Sequence, residues 1–224
     1  MRSAKPSPER LCWRAWPCHV CSKGLTPIGR LIRCREANPA FQSSSIEEII
    51  RLEIADLQKW VSECAHTPEV SKELPKISEG SEHLVYLDAK HATVFKTTKI
   101  GIFGESYYLD EGKMSQQNCS PLDYLIRLRL WNHVFGSAPK TLGITPNGQI
   151  VSFHDFITGT PPDQDEVDLF LAVAGFHSLK RKYWLWKKDY PNDAYSIGLG
   201  DARADNFVKS KHGIVPIDVR LWFA

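Results

Sequence analysis

The stretch Gly198–Val219, GLGDARADNFVKSKHGIVPIDV, decides how the chain is read. It holds three polar residues that a packed core rarely takes: Asp201, Asn206 and Asp218. Two short apolar runs, Asn206–Val208 and Ile214–Ile217, are joined by Lys209–Gly213. Apolar runs around a glycine-containing loop predict a β-hairpin. A loop aspartate, an asparagine at the strand entrance and an aspartate closing the returning strand then converge on one edge. The bland alternative is a surface turn with solvated carboxylates, since Asp and Asn are common turn residues.

The runs GDARADNF and PIDV resemble the catalytic loop and metal-binding strand of the protein-kinase-like superfamily. In particular they resemble the small serine/threonine/tyrosine-kinase-like domain of bacterial and phage polyvalent proteins. The spacing from Asp201 to Asn206 matches H-R-D-x-x-x-x-N, with Leu199-Gly200 in place of His-Arg. Asp218-Val219-Arg220 stands where D-F-G would be. The resemblance implies an α+β, compact, two-lobed, protein-kinase-like fold over residues 77–224, with a short C-terminal lobe. It implies ATP and Mg²⁺ held between the lobes, Asp201 as the catalytic carboxylate, and Asn206 and Asp218 as metal ligands. Arg203 would steady the transferring phosphoryl group, and Asp205 would stabilise the loop.

Upstream, Leu84–Leu87 and Ala92–Lys96 read as two strands around the turn Asp88–His91. Val94-Phe95-Lys96 resembles the V-A-I-K pattern, which makes Lys96 the residue that contacts phosphates; taken alone it is a solvated charge at a strand end. Gly80 is the one glycine representing the phosphate-covering loop. Pro121–Phe135 reads as a helix capped by Ser120 and stopped by Gly136. It resembles the kinase regulatory helix but contains no glutamate, so Glu105, Glu111 and Asp123 stay open as partners of Lys96. Gly148–Ile157 alternates towards a strand. The resemblance places a hinge there, with backbone near His154 and Phe156 meeting an adenine, although His154 alone reads as an ordinary strand residue.

The remaining segments carry less chemistry. Ser45-Ile46-Glu47-Glu48 is a capping box opening an apolar-faced helix. Residues 101–120 are polar and turn-rich, a poor helix or strand. Asp163–Glu166 caps a helix whose apolar residues are Val167, Phe170, Leu171, Ala174 and Leu179. Lys180–Lys188, KRKYWLWKK, reads as a helix end with lysines snorkelling over aromatics, or less commonly as a base-stacking surface.

Composition sets bounds on all of this. With 224 residues, 42% hydrophobic, 11% aromatic and net charge +2, the chain is an ordinary globular protein with no global pull towards nucleic acid or membrane. No apolar run approaches a membrane span of about 18 residues, and no signal peptide is evident, so the sequence reads as soluble and cytoplasmic. Residues 1–40 carry eight Lys/Arg, two acids and five prolines. We expect three regions: a basic extension without regular structure over 1–43, a helix and kinase-like N-lobe over 44–153, and a hinge with a minimal C-lobe over 154–224. The Cys18–Cys21 pair lacks a second zinc knuckle, which favours stray reduced thiols over a metal site. Only six residues follow Asp218, with no A-P-E element, so a minimal kinase and a truncated chain both stay open.

Walker, Rossmann, G-x-S-x-G and H-E-x-x-H patterns are absent. A nuclease-like cluster of Asp201, Asp205 and Asp218 would leave Asn206 and Lys96 without roles. Three readings remain in order: a phosphotransferase acting on a protein or small-molecule hydroxyl, a catalytically inactive pseudokinase binding nucleotide or a partner, and a nucleic-acid adaptor using residues 1–40 and Lys180–Lys188.

Overall fold

Pro27 supplies a preset φ for a first helical turn and opens helix α1, Pro27–Ala37, where composition had given no regular element. The computed structural model describes residues 27–63, 70, 74–110, 113–136, 139–180, 184–191 and 195–224. Cys18 and Cys21, and the first part of the basic extension, lie outside the described residues. Helix α2, Ile46–Glu63, begins with half of the expected capping box: the Glu48 amide donates to Ser45 Oγ at 3.3 Å, but the Glu48 side chain turns away from the Ser45 amide. The Glu48 carboxylate accepts from Arg51 one turn on. The helix buries Leu57, Trp60 and Val61, while α1 buries Ile28 and Leu31. Arg30 grips Asp56 between the two helices at 2.7 Å.

The described residues fall into two compact units, one of residues 27–105 and 117–156, the other of 106–116 and 157–224. The fold class is α+β, with helices beside antiparallel sheets. Among the described residues no helix is long and apolar enough to cross a membrane.

The first unit is a five-stranded antiparallel sheet with three helices. Strands β1 (Lys76–Glu79), β2 (His83–Asp88), β3 (Thr93–Thr98), β6 (Lys140–Ile144) and β7 (Ile150–Asp155) lie in the order β1-β2-β3-β7-β6. Helix α3, Pro121–Phe135, enters between β3 and β6 in the chain. Ser120 caps it reciprocally with Asp123, and Gly136 ends it at φ 68°, a left-handed stop that suits glycine. Tyr124, Leu125, Leu128, Leu130 and Trp131 of α3 are buried.

In the second unit, strands β8 (His177–Lys180), β9 (Leu185–Tyr190), β10 (Tyr195–Gly200) and β13 (Arg220–Phe223) form a sheet ordered β13-β10-β9-β8. Helix α4, Gln164–Val173, precedes them, and the hairpin β11 (Phe207–Ser210) and β12 (Gly213–Pro216) sits between β10 and β13 in the chain. Two expectations fail here. Leu179 belongs to strand β8 rather than α4, which ends at Val173 before the left-handed Gly175. The described residues of the run Lys180–Lys188 make no helix end either: Lys180 closes β8, and Leu185 and Trp186 are buried in strand β9. A third correction concerns 101–120. Glu105–Asp110 and Lys113–Asn118 pair as strands β4 and β5, despite a composition poor in strand formers.

Candidate functional site

Strand β10 delivers the chain to Asp201, and the reason is visible in its glycines. A Cβ on Gly198 would stand 2.1 Å from the Trp222 indole, and one on Gly200 would stand 2.9 Å from Tyr107. The two glycines are the floor on which Trp222 and Tyr107 lie, their ring centroids 5.1 Å apart. Directly after this floor Asp201 adopts φ 57°, a left-handed conformation that an aspartate tolerates better than most residues but still at a cost.

The predicted hairpin is present, with Phe207 opposite Pro216 and Val208 opposite Val215. Its mouth draws the three polar residues together. The Asn206 carbonyl accepts from the Ile217 amide at 2.8 Å and the Asp218 amide at 3.3 Å. The Asn206 side-chain Nδ2 donates to the Asp201 carbonyl at 2.8 Å. With the amide nitrogen so engaged, Oδ1 is the side-chain atom of Asn206 that could hold a cation. Asp201 is half-buried and Asp218 exposed. Burial pushes the Asp201 carboxyl above its ordinary value, against the opposing pull of Arg220, Arg203 and the Asn206 amide, while nearby Asp218 adds to the rise. Arg203 is exposed, pairs with Asp205 and lies 5.9 Å from the Trp184 ring.

In the other unit, Lys96 is half-buried at the centre of β3, opposite Val85 on one side and Ser152 on the other. Side chains alternate along a strand and cross-strand partners share a face. His83, two residues before Val85, therefore lies on the Lys96 face, and it meets Tyr124 of α3 at 2.9 Å. Helix α3 thus covers the lysine-bearing face. Gly80 occupies the β1–β2 turn, its amide donating to the His83 carbonyl at 3.0 Å; a Cβ there would meet nothing within 4 Å. His154 lies opposite Val94, and Phe156, 45% exposed, donates its amide to the Ala92 carbonyl at 2.7 Å. Of the acids considered for Lys96, Asp123 is committed to the α3 cap and Glu111 lies outside the described residues.

Residues 51–221 match the family model described as Serine/Threonine/Tyrosine Kinase found in polyvalent proteins. The chain belongs to this kinase family. No curated protein and no solved structure matches it. The match spans Lys96, the Asp201 loop and Asp218 alike, so the motif-bearing segments of both units fall inside the family domain.

One residue of this kinase-family domain escaped the sequence reading. Gln164, first in α4, donates Nε2 to the Ala202 carbonyl at 2.9 Å and accepts the Ala204 amide on Oε1 at 3.1 Å. Nothing in a lone glutamine after the helix-capping Asp163 announces a contact nearly 40 positions away in sequence. The helix start was legible; its use as a clamp was not.

Proposed function

We propose that the chain is a kinase-like phosphotransferase that moves the γ-phosphate of ATP to a hydroxyl of a protein or small-molecule acceptor. The observation that carries this is the pair of backbone hydrogen bonds at Asn206, which sets Asn206 and Asp218 side by side at the mouth of the hairpin, beside the Asp201 loop. An amide oxygen and a carboxylate are the hard ligands that Mg²⁺ takes, typically alongside phosphate oxygens and water. Asn206 and Asp218 would hold the ion, and the bound Mg·ATP would supply a phosphoryl group with partly neutralised charge.

Asp201 accepts or orients the acceptor's hydroxyl proton. Its raised affinity for a proton suits a base, and the neighbouring Arg220 and Arg203 keep the ionised form accessible. Arg203 steadies charge on the transferring group. Lys96 contacts phosphates, the Gly80 turn offers backbone amides, and the strand end at His154 and Phe156 meets the base. The strand register supports that division: the Gly80 turn lies towards the Thr98 end of β3, Lys96 lies two residues in, and His154 faces Val94 two further on. Four residues of strand span roughly 13 Å, on the order of an extended nucleotide.

A pseudokinase is the second reading, favoured by α3 itself: its one acidic side chain, Asp123, is spent on the helix cap. Transfer of label from γ-labelled ATP to acceptor or water separates the two. The first reading expects Mg²⁺-dependent turnover that drops by about 100-fold or more in Asp201→Asn. Equal turnover in Asp201→Asn would remove Asp201 from the chemistry, and Mg·ATP binding without turnover in the wild type would establish the pseudokinase. The adaptor reading would draw on Lys187 and Lys188 of β9, which pair with Asp189 at 3.0 Å and donate to the Ala174 carbonyl at 2.8 Å, respectively.

A further inference from the structure

We propose that Gln164 is the positioning residue of the Asp201 loop, an inference that rests on the phosphotransferase reading. The geometry is specific to a primary amide. Nε2 donates to the carbonyl of Ala202 and Oε1 accepts from the amide of Ala204, so one side chain holds the backbone on both sides of Arg203. It behaves as a neighbouring strand would, supplying one donor and one acceptor to a three-residue segment. The amide cannot turn over in this setting. Nε2 also donates to Asp168 Oδ1 at 3.0 Å, and a flipped amide would set its oxygen against a carboxylate and a carbonyl together.

Gln164 is itself fixed. It is the first residue of α4, whose entrance is closed by a reciprocal cap: the Glu166 amide donates to Asp163 Oδ1 at 2.8 Å, and the Asp163 amide donates to Glu166 Oε2 at 3.1 Å. One turn on, Val167 and Leu171 are fully buried, and Phe170 meets Phe207 of β11 edge-on at 6.1 Å. The helix is thus anchored in the core, and Gln164 passes that anchorage to the loop.

The loop needs such a hold. Asp201 sits at φ 57°, outside the region an L-residue prefers, and an unrestrained chain relaxes from it. Three contacts oppose relaxation: Asn206 Nδ2 on the Asp201 carbonyl at 2.8 Å, the Ala202 amide on the Trp184 carbonyl at 3.3 Å, and the Gln164 clamp immediately downstream. The Asn206–Asp218 pair is held differently, by hairpin backbone bonds in which Gln164 takes no part. Gln164 therefore acts on the loop directly and reaches the cation ligands only through it, by the Asn206 bonds to the Asp201 carbonyl and to the Arg203 carbonyl at 2.9 Å, while the hairpin holds Asn206 and Asp218 from the other side. The expected result of its loss is a split between catalysis and binding.

The test compares wild type, Gln164→Ala and Gln164→Glu. Two quantities are read: steady-state transfer from Mg·ATP, and backbone ¹³C chemical shifts at Asp201, which report the sign of φ without turnover. For Gln164→Ala we expect kcat to fall at least tenfold with KM for ATP within twofold of wild type, and the left-handed shift signature at Asp201 to weaken. Gln164→Glu keeps the acceptor for Ala204 but sets a carboxylate oxygen against Asp168 and the Ala202 carbonyl, so its kcat falls at least as far as that of Gln164→Ala. A kcat for Gln164→Ala within twofold of wild type, or unchanged Asp201 shifts, overturns the proposal, as does a rise in KM alone. If the wild type itself transfers no phosphate, the phosphotransferase reading fails, and the Asp201 shifts still decide whether Gln164 holds the loop.

Discussion

Asp201 combines three properties that are individually unfavourable: a left-handed backbone, partial burial and a second aspartate nearby. The proton balance follows from them. Because folding raises the carboxyl's affinity for a proton, its contribution to stability is greatest at low pH and is lost as pH rises through the folded-state value. The ionised base appears over the same range, so the acid limb of the transfer rate should lie above the value of an ordinary aspartate. Arg220 is the strongest charge pulling the other way. Arg220→Ala should therefore move that limb to higher pH in a kcat–pH profile; a limb that stays put or moves down would show that Arg220 does not act on Asp201. Gly198 makes a second prediction at this scale. A methyl group there would overlap the Trp222 indole, so Gly198→Ala should destabilise by about 1–3 kcal/mol in urea unfolding. An unchanged midpoint would mean that the indole moves aside at little cost.

Among the elements, α3 is tied down at several points, and its ties were invisible in sequence. Arg127 and Glu82 form a buried pair at 2.8 Å, with Arg127 also donating to the Glu105 carbonyl at 2.9 Å and reaching Cys119 Sγ at 3.3 Å. Gly104, at φ 79°, lies so close that a Cβ would stand 2.2 Å from the Glu82 carboxylate. Removing one partner strands the other, so Arg127→Met should cost about 3–5 kcal/mol, and adding Glu82→Gln should recover part of it. Full additivity of the two losses would show that the groups do not depend on each other. At the N-terminal end of α3, Glu53 is fully buried and accepts from Arg35 and the Leu122 amide, while Arg35 also donates to Ser120 Oγ at 2.7 Å. Burial pushes the Glu53 carboxyl up, against the pull of Arg35. Helices α1 and α2 are thereby latched to the start of α3.

Which elements were legible depended on whether the signal was local. The caps at Ser45, Ser120 and Asp163, the left-handed stop at Gly136 and the turn residues of the Asp201 hairpin are short-range devices, and each could be read. Helix α1 was missed because it buries only Pro27, Ile28 and Leu31 of a basic, proline-rich segment, and the acids that Arg30 and Arg35 reach lie on α2, far away in sequence. Strands β4 and β5 were missed because Ser115-Gln116-Gln117-Asn118 carries no apolar alternation. Strand β9 was misread because Lys187 and Lys188 looked like the polar face of a helix, whereas one pairs with Asp189 and the other caps the carboxyl end of α4.

Over the whole molecule, family membership and the α+β class join motifs that are weak when taken singly. The order from Gly80 through Lys96 and α3 to Asp201, Asn206 and Asp218 was present in the sequence, and the family match covers all of it. The hairpin that brings Asn206 and Asp218 together was also predictable from its turn. What sequence could not supply was the support: the Gln164 clamp, the glycine floor under Trp222 and the buried Arg127–Glu82 pair all depend on contacts between distant segments.

The most direct test of the central claim is a thermal-shift titration of wild type and Asp218→Asn with ATP, with and without Mg²⁺. A ligand that binds only the folded state raises the midpoint, by the equivalent of about 2.7 kcal/mol at a hundredfold excess over Kd. We expect a rise in the wild type that requires Mg²⁺ and is lost in a folded Asp218→Asn protein. No rise at millimolar ATP, or an equal rise in Asp218→Asn, would contradict that claim.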